Sequence, residues 1–202
     1  MLVHDSIKHH VSILSKPTYG ETEGVTWIKV DHGRSSRYDV FCSLYLEQQR
    51  KRFKTDNEEI FDGIKRDWER YAKDAYNVFI VGDLNTRVGQ LQENRLAGYR
   101  QGEPYLPNAQ GRNLVTRLRA MDAAIVHGRL CECKPTYEPC DKRKLWKHES
   151  ICDYMILRRD RLKHVTACAI DDDTAIGSDH NLLWLSLDYN YNGEAPAGPS
   201  LR

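Results

Sequence analysis

The most informative segment of this 202-residue chain reads Val78-Phe79-Ile80-Val81-Gly82-Asp83-Leu84-Asn85. Its first half is a short apolar run, which is typical of a buried strand. Because alternate residues of an extended chain point to the same side, we expect Asp83 and Asn85 to converge at the end of that strand. A simpler interpretation is a turn in which the two polar side chains close the strand with local hydrogen bonds.

Two later segments also join an apolar run to an acidic residue. Asp153 precedes the apolar residues 154–157, while Asp179 and His180 precede the apolar residues 182–185. Any one of these acids could lie in a solvated turn. Three acids at the ends of three strands are better explained by one shared polar site.

Taken together, these motifs resemble those of the endonuclease/exonuclease/phosphatase superfamily, the fold of abasic-site endonucleases, deoxyribonuclease I and the endonuclease domains of non-LTR retrotransposons. The likeness lies in Gly82-Asp83-Leu84-Asn85, Cys152-Asp153-Tyr154 and Gly177-Ser178-Asp179-His180, which follow the family's order. Three further phrases are similar to the retrotransposon branch and its craniofacial-development-protein-like relatives: Asn85-Thr86-Arg87-Val88-Gly89, Gly111-Arg112-Asn113-Leu114 and Pro135-Thr136-Tyr137.

The resemblance implies an α/β (α+β) fold, a four-layer two-sheet β-sandwich flanked by helices. It covers residues 1–188, which we expect to form one domain. Residues 189–202 contain several glycines and prolines, and we expect them to be a disordered tail.

The family pattern also has an earlier part, in which one strand supplies an asparagine and a second supplies a glutamate that is a principal magnesium ligand. Both precede the segment that resembles residues 1–7, so we expect this chain to be N-terminally truncated by that standard. Glu21 and Glu23 lie in a segment that is typical of a surface hairpin, and we do not expect them to replace the glutamate. The missing strands would leave a sheet edge exposed.

Hydrophobic periodicity predicts the elements between the motifs. We expect strands at residues 25–30, 37–46, 124–127, 135–137 and 165–170, and a final strand that ends near residue 188. Apolar residues at helical spacing predict helices at residues 60–75 and 112–121. The polar segment 90–110 is long for a loop in a compact domain, which is typical of functional or mobile loops.

Composition excludes several classes of protein. An apolar content of 40% and a mean hydropathy of −0.67 do not fit a membrane protein, and no signal peptide is recognisable, so we expect an intracellular protein of the nucleus or cytoplasm. A net charge of +1 argues against a general polyanion binder. The basic segment 142–147 holds an aromatic residue among cations, a composition that suits nucleic-acid contacts from Lys144, Trp146 and Lys147 or simply a solvated face.

The chain contains six cysteines. Cys42, Cys152 and Cys168 lie in strand-like runs, where a thiol behaves as a small buried hydrophobe. The remaining three, followed by His148, lack the paired C-x2-C spacing of structural zinc sites, so we do not expect zinc there.

Hydrolysis of a phosphodiester needs an oriented water, charge neutralisation at phosphorus and help for the leaving oxygen. The resemblance implies that Asp83 orients and deprotonates the water and that Asn85 holds a phosphate oxygen. Tyr45 matches the tyrosine that touches the scissile phosphate, although a half-buried aromatic at a strand end is the simpler interpretation.

The same resemblance assigns roles to the later motifs. His180 would stabilise the phosphoryl charge or transfer a proton, and Asp153 would accept its other ring proton and fix the tautomer. Asp179 would be a metal ligand. Oxygen ligands favour Mg²⁺ or Mn²⁺ over zinc.

Three functions remain open from the sequence. The first is metal-dependent phosphodiester hydrolysis by a DNA endonuclease of the retrotransposon type, with RNA as a further substrate. The second is an inactive remnant that binds nucleic acid or protein, because a main metal ligand is missing. The third is a phosphatase of small phosphorylated molecules.

Overall fold

The structure is a computed structural model that describes residues 5–15, 24–32, 37–47, 56–103, 105–139, 149–171 and 178–189. The strands are β1 (Val11–Ser15), β2 (Val25–Asp31), β3 (Tyr38–Leu44), β4 (Asn77–Asp83), β5 (Ala123–Ile125), β6 (Asp153–Arg158), β7 (Val165–Asp171) and β8 (Leu182–Leu187). The helices are α1 (Asp56–Tyr71) and α2 (Ala109–Ala120), with short 3₁₀ helices at Lys8–His10, Arg95–Ala97 and Arg159–His164.

The strands form a six-stranded sheet in the order β1-β2-β3-β4-β6-β5 and a two-stranded sheet of β7 and β8. Only the pairing of β3 with β4 is parallel among the pairs described. A parallel pair needs a crossover connection, and α1 lies in it. The antiparallel pairing of β4 with β6 sets Asp83 opposite Asp153.

The six-stranded sheet has an apolar core on each face because its central strands alternate their side chains. Val78 and Ile80 of β4 pack in the same cluster as apolar residues of α1 and α2. Phe79, between them, packs with Val165 and half-buried leucines of β8. The helices therefore cover one face and the two-stranded sheet covers the other.

The prediction of an α/β two-sheet sandwich flanked by helices is confirmed. Among the described elements, both α-helices lie on the same face of the large sheet. The tail remains a prediction: residues 190–202 lie outside the described residues, as do Glu21 and Glu23. None of the helices in the described ranges is long and apolar enough to cross a membrane.

Individual elements differ from their predicted limits. The sequence pattern does not predict β1, which lies at an edge of the sheet and is mostly exposed. Helix α2 begins at Ala109 because the side chain of Asn108 accepts a hydrogen bond from the Gly111 N–H and caps it. The strand predicted at residues 135–137 is reduced to isolated bridges at Tyr137.

The polar segment 90–110 is organised around one buried arginine. Arg100 is fully buried and donates to the carbonyls of Gly89 (2.7 Å) and Leu91 (2.9 Å). Its Nε also donates to Glu93, and Glu93 accepts a further bond from Arg129. We call Glu93, Arg100 and Arg129 the Arg100 cluster. Its contacts fix this long connection against the end of β5.

Candidate functional site

The first part of the site lies where β4 ends. Gly82 has φ +141°, and a Cβ atom there would lie 2.0 Å from the Leu44 carbonyl oxygen, so only glycine allows β3 and β4 to approach so closely. Asn85 follows in a left-handed conformation, with φ 44°, which asparagine tolerates well. This turn sends the side chains of Asp83 and Asn85 toward each other, as the alternation of the strand predicts.

Asn85 holds the carboxylate of Asp83 with two hydrogen bonds. Its backbone N–H donates to Oδ1 (2.8 Å) and its side-chain Nδ2 donates to Oδ2 (2.9 Å). The second Nδ2 proton goes to the Leu46 carbonyl, at 2.8 Å. Both amide protons therefore have acceptors in this structure, and Asn85 positions the Asp83 carboxylate.

The second part of the site is a pair formed by Asp153 and His180. Nδ1 of His180 lies 2.8 Å from Oδ2 of Asp153. Asp153 begins β6, opposite Asp83 in the register. The contact leaves Nε2 as the ring nitrogen available to a ligand or substrate.

Thr136 and Asn181 bring the two chain segments of this pair together. The Thr136 hydroxyl accepts bonds from the backbone N–H groups of Cys152 (3.1 Å) and Asp153 (3.0 Å). The Thr136 carbonyl accepts the N–H of Asn181, at 2.8 Å. Since Asn181 directly follows His180, the buried Thr136 fixes both partners.

The other family-like phrases support the first part of the site. The buried phenol oxygen of Tyr154 lies within hydrogen-bond distance of two carbonyl oxygens, those of Thr86 (3.0 Å) and Ile151 (3.1 Å), to which its O–H can donate. A Cβ at Gly111 would lie 1.9 Å from the Arg87 carbonyl oxygen, so this glycine lets α2 pack against the segment after Asn85. These residues act as a frame for the site.

Burial is the largest influence on the Asp83 carboxyl, and it raises its pKa above the ordinary value. The negative charge of Asp153 raises it further, while the Asn85 N–H, the charge of His180 and the Cys152 thiol oppose the shift. A carboxylate with a raised pKa is a stronger base than an exposed one.

His180 experiences the opposite balance. Burial alone lowers the pKa of this imidazole, but the hydrogen bond and charge of Asp153, with the charges of Asp83 and Asp179, outweigh it and raise the pKa overall. The surroundings therefore favour the protonated ring more than water does, next to the carboxyl that could act as a base.

The sequence interpretation of Cys152 as a buried hydrophobe misses its position in the site. The residue is buried, yet its Sγ lies 3.4 Å from Oδ2 of Asp153. Burial, followed by the charges of Asp153 and Asp83, raises the pKa of this thiol well above its ordinary value. The only sequence signal is its place directly before Asp153. Thr136 was missed as well, although it lies within one of the family-like phrases.

The remaining predicted residues are placed less closely. Tyr45 is 55% exposed and follows β3, and its neighbour Leu46 donates its N–H to the Asp83 carbonyl. Asp179 is half-buried beside His180 in the chain. Lys144, Trp146 and Lys147 lie outside the described residues. No hydrogen bond among those described ties Tyr45 or Asp179 to Asp83 through its side chain.

The donor atoms of the site fit magnesium in a minimal way. Mg²⁺ is usually held by one or two carboxylates together with water and substrate phosphate. Asp83 and Asp179 provide such carboxylates, and the charge of Asp179 already acts on His180. The carboxylate of Asp153 is engaged by His180. By donor type, Asp83 and Asp179 are the carboxylates that would hold such an ion, but among the described residues only Asp83 belongs to a group of neighbouring metal-ligating atoms.

Comparison with known proteins was informative only at the level of structure. No protein-family model matches the chain, and no curated protein sequence does. The endonuclease domain of TRAS1, a telomere-specific non-LTR retrotransposon, matches with a TM-score of 0.61 and 18% identity over 91% of this chain and 71% of that domain.

Two further structures are similar. The 3′ phosphatase NExo from Neisseria, bound to a product DNA hairpin, has a TM-score of 0.61 and 11% identity, covering 89% of this chain and 70% of that one. The AP endonuclease LMAP from Leishmania major has a TM-score of 0.57 and 14% identity, covering 87% of this chain and 60% of that one. The chain therefore shares the two-sheet fold of these structures.

Proposed function

We propose that this chain hydrolyses phosphodiester bonds in DNA as a metal-dependent endonuclease. The observation that carries the proposal is the pair of Asp153 and His180, whose side chains contact each other at 2.8 Å. Asp153 lies opposite Asp83, whose carboxylate is oriented, in the pairing of β4 with β6. The fold likeness to DNA-processing proteins supports the same function.

In this proposal Asp83 accepts the proton of the attacking water. Asn85 fixes the carboxylate with its two hydrogen bonds, so the base needs little reorganisation when the water approaches phosphorus. Its raised pKa improves its basicity. The water oxygen then bonds to phosphorus while the bond to the leaving oxygen breaks.

His180 faces the charge that develops on the phosphoryl group. Asp153 contacts Nδ1 and raises the pKa of the ring, which favours its protonated form; in that form Nε2 has a proton to donate to a phosphoryl oxygen or to the leaving oxygen. A divalent ion, when bound, would neutralise phosphate charge.

The test is nicking of supercoiled plasmid by the full chain with Mg²⁺. We expect Asp83→Ala and His180→Ala each to lower the nicking rate by roughly 100-fold or more, the contribution of a positioned acid or base. Asp74→Ala and His9→Ala are the matched controls, because both residues are exposed and Asp74 lies near the opposite end of β4. Nicking that survives both site substitutions would show that this site is not the catalytic one.

An inactive binding domain is the second candidate, and one observation favours it. Among the described residues, the one metal-ligating group that the site contains includes a single carboxylate, that of Asp83. This candidate predicts that the chain retains DNA in a filter-binding assay at low salt but leaves plasmid intact with Mg²⁺ or Mn²⁺. If the plasmid stays intact but the chain releases phosphate from a phosphoinositide, the result would favour a phosphatase of small phosphorylated molecules instead.

A further inference from the structure

Three side chains of different chemistry converge at the candidate site. A carboxylate oxygen of Asp83, the Sγ of Cys152 and a ring nitrogen of His180 all lie within 4.8 Å of one another. Each comes from a position that the fold fixes: the end of β4, the residue before β6 and the bridge that precedes β8. One oxygen, one sulfur and one nitrogen are a poor set for magnesium, which takes oxygen ligands.

The same set suits zinc. Protein ligands bind Zn²⁺ at about 2.3 Å through sulfur and about 2.0–2.1 Å through nitrogen or oxygen in tetrahedral geometry, which sets ligand atoms roughly 3.3–3.6 Å apart. Atoms now within 4.8 Å of one another would close by at most about 1.5 Å. Rotation of the half-buried Asp83 and His180 side chains can supply that movement, while the buried Cys152 stays in place.

The orientation of His180 also fits a zinc ligand. Its Nδ1 is engaged by Asp153, so Nε2 is the ring nitrogen left to bind a metal. A metal-bound histidine almost always gives its other ring N–H to a carboxylate or carbonyl, which fixes the ring and increases its basicity. Asp153 already makes that contact without any change in the fold.

We propose that Asp83, Cys152 and His180 form a site for Zn²⁺ or another cation that prefers nitrogen and sulfur ligands, and that its occupancy inhibits the chain. Three protein ligands leave a fourth position for water. Binding displaces the proton of the Cys152 thiol, which now points toward Asp153, and the Nε2 proton of protonated His180, so affinity rises with pH. The inhibition rests on the proposed function, because the ion would bind the residues proposed as the base and the acid. The binding of the ion does not depend on that function.

Cobalt is the probe, because Co²⁺ bound to a thiolate gives charge-transfer absorption and intense visible bands in tetrahedral sites. The full chain, reduced with a phosphine, is titrated with Co²⁺ beside Cys152→Ser and His180→Gln. Cys133→Ser is the matched control, since Cys133 is a half-buried free cysteine that lies outside the group. Circular dichroism establishes that each variant is folded.

We expect a thiolate–cobalt band in the unsubstituted chain and in Cys133→Ser. The band should be absent in Cys152→Ser. In His180→Gln the affinity for Co²⁺ should fall at least tenfold. A band that is unchanged in both site variants, or no band in the unsubstituted chain, overturns the proposal. His180→Gln keeps the thiol, so it decides the matter if Cys152→Ser does not fold.

The inhibitory effect is measured separately by adding Zn²⁺ to the nicking assay with excess Mg²⁺. We expect the half-inhibitory concentration to rise at least tenfold in Cys152→Ser, and equal sensitivity of the two chains would refute inhibition through this site. If the unsubstituted chain does not nick DNA, the proposed function fails, yet the cobalt spectra still decide whether the metal site exists.

Discussion

The Arg100 cluster and the candidate site are both polar groups built into the same sheet, but they differ in what their side chains leave open. The cluster is closed: Glu93 accepts bonds from the Ile125 N–H and from both arginines, and the side chains of Arg100 and Glu93 are 1% and 0% exposed. The site is open: the side chains of His180 and Asp153 are 32% and 19% exposed, and Asp153 engages only one of the two ring nitrogens.

The difference separates scaffold from chemistry. Charges that are buried and fully paired hold a structure, because removing one partner leaves the other uncompensated. Groups that are partly exposed, held by neighbours and shifted in pKa are the ones able to exchange protons with a substrate. The following variants test whether the two regions divide in this way.

The largest effect is expected from Arg100→Met. It leaves Glu93 with a reduced set of donors and the carbonyls of Gly89 and Leu91 unpaired, so the free energy of unfolding should fall by about 3–5 kcal/mol. Urea denaturation measures it. Arg112→Met, at an exposed arginine of α2, should cost less than about 0.5 kcal/mol. A small loss at Arg100 would mean that the cluster does not hold the fold.

Asp153→Asn should act on chemistry more than on stability. The amide cannot supply the negative charge that favours protonated His180, so the pKa of His180 should fall, and nicking should decrease roughly 100-fold, at the low end of a positioned acid or base. NMR titration of the His180 ring gives the pKa.

The sign of the pH effect in this variant follows from linkage. A raised pKa means that protonated His180 stabilises the folded chain at pH values below 6.5, and that this contribution is lost as the pH rises through the folded-state pKa. Asp153→Asn should lose this stabilisation below pH 6.5. Asp160→Asn, at an exposed carboxylate, should change neither the ring titration nor the nicking rate. An unshifted His180 titration in Asp153→Asn would contradict the pairing.

Glu103→Gln gives the smallest effect. It sharpens the comparison because Glu103 is buried, like the Arg100 cluster, yet its pKa is shifted, like those of the site residues. Burial raises its pKa from 4.5 to about 7, against the Ile151 N–H and the charges of Arg87 and Arg100. Stability therefore decreases between pH 4.5 and 7 as the unfolded chain loses the proton first.

We expect Glu103→Gln to stabilise the chain at pH 8 by about 1–3 kcal/mol and to have little effect at pH 5. Thermal unfolding at both values measures this, with Glu132→Gln as the exposed control. Equal stabilisation at the two pH values would show that the carboxyl is not the cause.

Much of the fold was predictable because its signals are local. The apolar run before Gly82, the apolar spacing of α1 and the acids at strand ends each lie within a few residues of one another. The edge strand β1 was not, because its largely exposed residues carry no clear alternation.

The site divides in the same way. Asp83, Asn85, Asp153 and His180 could be named from motifs, whereas Cys152 and Thr136 depend on how β6 packs against a distant bridge. An arginine in a polar segment is indistinguishable from a solvated one until the loop closes around it, so Arg100 could not be recognised either.

The bond from Tyr154 to the Thr86 carbonyl spans 68 residues of sequence. Together with the pairing of β4 and β6, it makes the site depend on long-range contacts. Closing such long loops costs entropy before the contacts that stabilise the site can form. We therefore expect the site to assemble late in folding, after the sheet that carries it.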